Sequence, residues 1–139
     1  SEINQTFGNQ DWQPISVFYE NNYTQAIAAM KLYDVLMVNS TIDGMNLVAK
    51  EGPAVNTRNG LLILSETTGA HPQLRDGVIS VSATDIEGTA QALYRGITAT
   101  VSERETHAAT VLDKIEKEDI ITWLQWQVED ITAIIRKLP

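Results

Sequence analysis

Three short apolar runs, residues 35–38, 61–64 and 78–81, constrain this sequence most. Ser80 is the one polar residue among them, so each suits a strand with both faces covered. Between them the apolar period lengthens to three or four residues, the mark of amphipathic helices. This order predicts an α/β domain on a parallel sheet, with right-handed crossovers placing helices on both faces. Ligands of such sheets belong at the carboxyl ends of the strands.

Asn22 and Gln25 have capping-box spacing ahead of Tyr23, Ile27 and Met30, which predicts a helix ending near Tyr33. Residues 44–50 read as another helix. Thr84 with Glu87 and Ser102 with Glu105 repeat the cap signal downstream. Ile120, Trp123, Leu124, Val128, Ile131, Ile134, Ile135 and Leu138 recur at helical spacing and predict a packed terminal helix closed by Pro139. Upstream, the Ile-Ser-Val-Phe-Tyr of residues 15–19 predicts a further strand, stopped by Glu20, Asn21 and Asn22.

Charge narrows the partners. With 18 acidic against 10 basic residues, the net charge of -8 opposes a polyanion and excludes nucleic acid as an expected partner. No apolar run approaches the roughly 20 residues of a membrane helix, and the first residues lack the features of a signal peptide. A cytoplasmic protein with no membrane partner is the expectation. The absence of cysteine excludes disulfides and thiolate metal sites, and His71 and His107 have no ligand-like spacing. His71 reads as a structural or solvated loop residue and His107 as solvated. At 139 residues and 43% hydrophobic, the chain can bury one core, so a single unit over 1–139 is expected.

The chemistry concentrates in residues 43–51, Asp-Gly-Met-Asn-Leu-Val-Ala-Lys-Glu, after the apolar run 35–38 and a short polar loop. Gly44 would let the chain turn tightly and a ligand approach the backbone. The amides of Met45, Asn46 and Leu47 would then open a helix, where free N–H groups and the helix dipole favour an anion such as a diphosphate. Glu51 follows Asp43 by eight residues, about two helical turns, so the two carboxylates could line one side of a pocket and accept sugar hydroxyls. An Asp-Gly turn opening an ordinary helix fits the spacing as well.

Those nine residues resemble the signature of the trehalose-6-phosphate synthases, retaining glycosyltransferases of GT-B fold. Further matching pieces follow in order: Ile3-Asn4 with Phe7-Gly8, Trp12 with Pro14-Ile15, Tyr33-Asp34-Val35, Leu64-Ser65 and Gly69-Ala70. The resemblance implies a Rossmann-like parallel sheet flanked by helices, part of the carboxyl-terminal half of a GT-B fold, with carboxyl-terminal helices over 103–138. It implies glucose transfer from a nucleotide sugar, UDP-glucose or GDP-glucose, to a sugar phosphate such as glucose 6-phosphate. No metal or cofactor is implied, and no catalytic nucleophile is assigned in this chain. Asp43, Gly44, Met45 and Asn46 would bind the donor sugar, the amides of Asn46, Leu47 and Val48 the phosphate, and Glu51 the ribose. Asn21 and Asn22 would lie near the base, on strand position alone.

The chain departs from the family pattern at Thr41-Ile42 and over 52–56, where Pro53 should kink or end the signature helix near Glu51 or Gly52. Residues 54–56 and 65–70 look more like relatives such as the pseudo-glycosyltransferase that couples cyclitols. A non-catalytic interaction module derived from the fold is the other alternative. Nothing here resembles the family's amino-terminal domain or the Arg and Lys that grip the donor diphosphate. The chain alone is therefore expected to be inactive and to need that domain or a neighbouring chain. In a sheet ordered 3-2-1-4-5-6, residues 15–19 would be strand 3, with two strands absent before residues 35–38. Part of the Trp123 and Trp126 surface would be exposed and favour a homo-oligomer.

Overall fold

In the computed structural model, which describes residues 1–137, a three-stranded parallel sheet carries the fold. Its strands are β1 (Val35–Val38), β2 (Leu61–Ser65) and β3 (Ile79–Val81), side by side in chain order. Val35 pairs with Leu61 and Ile63 with Ile79 in the two registers. The helices are α1 (Glu2–Phe7), α2 (Tyr23–Leu32), α3 (Val48–Val55), α4 (His71–Leu74), α5 (Ile86–Thr98), α6 (Val101–Lys117) and α7 (Ile120–Ile135). A single 3-10 turn, Arg75–Gly77, leads into β3. The predicted α/β architecture stands.

Of the three strands only β2 is covered on both faces as expected; β1 leaves Met37 exposed and β3 leaves Ser80 exposed, since both lie at the edges of the sheet. All five of the β2 residues are buried, and the four aliphatic ones divide by parity between two cores. Leu62 and Leu64 join Val38, Ala49, Leu74, Val78 and Val111 beneath α3, α4 and α6. Leu61 and Ile63 join Ile79, Val81 and Ala92 beneath α5. Each buried aliphatic side chain contributes about 1.5–3 kcal/mol by leaving water.

Residues 15–19 form no strand, and Val17, Phe18 and Tyr19 are exposed. A strand needs a hydrogen-bonded neighbour, and here the Asn4 side chain takes that part. Asn4 Oδ1 accepts the Ile15 N–H at 2.9 Å, and Asn4 Nδ2 donates to the Ile15 carbonyl at 2.8 Å. The segment does not extend the sheet.

Asn22 caps α2 as predicted, accepting the Gln25 N–H. Two other caps fall beside their predicted places: Asp85 with Gly88 opens α5, and Thr100 with Glu103 forms the capping box of α6. In each case the capping residue is an Asp or Thr within two positions of the expected one, equally able to accept an amide. Pro53 does not end α3, which continues to Val55. Its ring is buried in the helix interior, and the Asn56 N–H closes the last turn on the Gly52 carbonyl.

Asn56 is fully used. Its Nδ2 donates to the carbonyls of Met30 and Tyr33, and its Oδ1 accepts the amides of Arg58 and Gly60. The end of α2, the end of α3 and the approach to β2 meet on this one side chain.

The terminal helix forms over Ile120–Ile135, but none of its residues is buried, and Trp123 and Trp126 are about half exposed. It is not the packed helix expected, because among the described residues no layer lies against its apolar stripe. Leu138 and Pro139 lie outside the described residues. No described helix is long and apolar enough to cross a membrane.

Candidate functional site

The loop from β1 to α3 stands at the carboxyl end of the sheet, where a parallel α/β fold places its ligands. Its helix begins at Val48, four residues later than the sequence suggested for the Gly44 start. Asn46 is the cause. It holds φ at 67°, a left-handed conformation no helix tolerates but which asparagine adopts more readily than most residues. Gly44 has no positive φ, so the turn expected of it is made by Asn46 instead.

Asp43 organises the loop. Its Oδ1 accepts the Met45 N–H at 3.1 Å, and its Oδ2 accepts Asn46 Nδ2 at 2.8 Å and lies 3.4 Å from Ser40 Oγ. The Asn46 amide foremost, then the Met45 N–H, hold this carboxyl below the usual carboxylate range. Asn46 also accepts the Ala49 N–H through Oδ1 at 3.2 Å, which caps the start of α3. The Met45 amide is therefore not free. The Asn46 amide faces the Asp43 carboxylate, whereas the amides of Leu47 and Val48 have no acceptor among the described residues.

Gly44 has open space around it: a Cβ built there would meet nothing within 4 Å. Ile42, Met45 and Leu47 around it turn apolar side chains outward. Glu51 lies in the first turn of α3, half-buried. Since residues 43–47 are not helical, the two-turn spacing expected between Asp43 and Glu51 does not hold. Asn21 and Asn22 border hollows lined by Phe18, Glu20 and α2, and these share no residue with the loop of Asp43.

A second loop, from β2 to α4, closes on the first. The Gly69 amide donates to the Asp43 carbonyl at 2.9 Å and the Ala70 amide to the Met45 carbonyl at 3.0 Å, while Asp43 and Thr68 form a parallel bridge. Ser40 and Thr67 belong to this arrangement and escaped sequence reasoning. The available signal was a pair of hydroxyl residues, Ser65 and Thr67, two apart at the carboxyl end of a buried strand.

Both histidines lie elsewhere. His71 opens α4 with Nε2 2.8 Å from Ser80 Oγ. His107 is half-buried with Nδ1 3.1 Å from the Gly77 carbonyl. The solvated reading of His107 fails because its face of α6 packs on the 3-10 turn.

The family profile of Glycosyltransferase family 20 matches residues 1–133. The chain belongs to glycosyltransferase family 20. A trehalose-6-phosphate synthase of Salmonella paratyphi B is 34% identical over 142 residues, 99% of this chain and 29% of that relative. A UDP-forming α,α-trehalose-phosphate synthase from Burkholderia xenovorans, in complex with glucose 6-phosphate, superposes with a TM-score of 0.83 at 30% identity. The match covers 94% of this chain and 29% of that one. An E. coli structure bound with UDP-2-fluoro glucose superposes with a TM-score of 0.82 at 32% identity, over 93% and 29% of the two chains. This family 20 chain thus spans less than a third of the length of the relatives it matches.

Proposed function

We propose that this chain carries the donor-binding part of a retaining glycosyltransferase that moves glucose from UDP-glucose or GDP-glucose to a sugar phosphate such as glucose 6-phosphate. The amino-terminal GT-B domain, or a neighbouring chain, supplies the acceptor side, and the chain alone is inactive. The whole of residues 1–139, with its carboxyl-terminal helices, serves as one donor unit.

The observation that carries this reading is the empty space at Gly44, bordered by the Asp43 carboxylate and the unpaired amides of Leu47 and Val48. Nothing in the chain itself demands a glycine there, whereas a sugar laid against the backbone would. Those two amides, with that of Asn46 beside them, stand at the positive end of the α3 dipole and suit the donor diphosphate.

A carboxylate offers about four lone-pair sites. Met45, Asn46 and Ser40 occupy one on Oδ1 and two on Oδ2 of Asp43. One site on Oδ1 remains for a hexose hydroxyl, with Gly44, Met45 and Asn46 around it. Glu51, with its carboxylate at the start of α3, takes the ribose hydroxyls. Asn21 and Asn22 have the weakest support, since no hollow joins them to this loop.

The relatives support the substrate classes: one binds glucose 6-phosphate and another UDP-2-fluoro glucose. The test is an NMR titration with UDP and GDP beside Glu51→Gln. Shifts at the amides of residues 44–48, with binding weakened by about 1 kcal/mol or more in the variant, support the reading and identify the base. No shift at millimolar nucleotide overturns it.

A further inference from the structure

The carboxyl end of β2 carries a hydroxyl chain outside the set of ligand-contacting residues. Ser65, wholly buried, has its Oγ 2.7 Å from Thr67 Oγ1, and Thr67 Oγ1 lies 3.0 Å from the Ser40 carbonyl. Proton counting sets the direction. A carbonyl only accepts, so the single Thr67 hydroxyl proton goes to Ser40, and Ser65 must donate to Thr67. Ser65 Oγ accepts the Thr67 N–H in return, at 3.3 Å.

Ser40 then passes the constraint on. Its Oγ lies 3.4 Å from both Asp43 Oδ2 and Asn46 Nδ2. The backbone bonds from Gly69 and Ala70 hold Asp43 and Met45 but do not reach residue 40. Thr67 ties down that limb of the loop.

We propose that Thr67 is a positioning residue for Asp43: its hydroxyl links the buried end of β2 to Ser40 and so fixes the carboxylate that receives the donor hexose. The inference rests on the donor-binding reading of the Asp43 loop. Thr67 is itself exposed, so replacing it with the isosteric valine removes the hydroxyl without emptying the core.

The experiment compares wild type, Thr67→Val and Thr67→Ser by NMR, titrating each with UDP-glucose and with UDP, and following the Asp43 carboxyl carbon through pH. The ratio of UDP-glucose to UDP affinity should fall about tenfold in Thr67→Val, the size of one net hydrogen bond. The Met45 amide shift and the Asp43 titration should move with it, and Thr67→Ser should restore all three. A Thr67→Val protein with wild-type Met45 and Asp43 signals overturns the proposal, as does a serine variant that fails to rescue. If wild type binds UDP-glucose no better than UDP, the donor reading fails at the sugar. The Asp43 and Met45 signals still decide the role of Thr67 in that case.

Discussion

The Gly69 amide donates to the Asp43 carbonyl at 2.9 Å, and where these two loops cross there is no room for a side chain on Gly69. A Cβ there would overlap the Gly44 carbonyl and come within 3.1 Å of the Met45 nitrogen. The close crossing locks the candidate site to the carboxyl end of β2.

Gly69→Ala should therefore destabilise the chain by about 1–3 kcal/mol, since the neighbouring atoms are backbone and cannot turn aside. Urea unfolding of the variant beside wild type measures it. An unchanged midpoint would show that the loops separate freely.

Gly44→Ala should do the reverse. With open space around Gly44 and no positive φ, stability should stay within about 0.5 kcal/mol of wild type. Affinity for UDP-glucose should nonetheless fall about tenfold or more, because the methyl group stands where the sugar would lie. Unfolding and ligand titration on the same preparation separate the two effects, and a variant that binds normally would count against the sugar position.

Acid should loosen the start of α6. Hydrogen bonds from the Thr100 amide and hydroxyl lower the Glu103 pKa in the folded chain. A depressed folded pKa stabilises the protein above the unfolded value, about 4.3 for glutamate, and this is lost as pH falls through the folded value. Glu103→Gln should thus unfold at lower urea than wild type near neutral pH, with the gap closing below about pH 4. Urea midpoints of both proteins across this range test the assignment, and a gap independent of pH would reject it.

The sheet was legible because its strands are short apolar runs with nothing else to be: residues 61–64 cannot be soluble on either face. The helices were legible by period, although the choice between Thr84 and Asp85, or between Ser102 and Thr100, depended on backbone geometry that letters do not carry. Residues 15–19 misled because strand propensity describes a surface that accepts a neighbour, and no neighbour comes. Of the candidate site, the Asp43 turn between β1 and α3 was legible in the letters. The role of Asn46 was not, since a single left-handed residue moves a helix start without changing any spacing. The contacts of Thr67 and Ser65 stayed hidden because they arise only when two loops distant in sequence are brought together.

Asn56, which closes α3, places two of its four hydrogen-bonding positions on the end of α2 and two on the turn into β2. Fraying at the end of α2 would therefore release bonds that also steady the end of α3 and the entry to β2. These three elements are bound to open as one cooperative unit, and the strand that ends beside the candidate site begins at that shared hinge point.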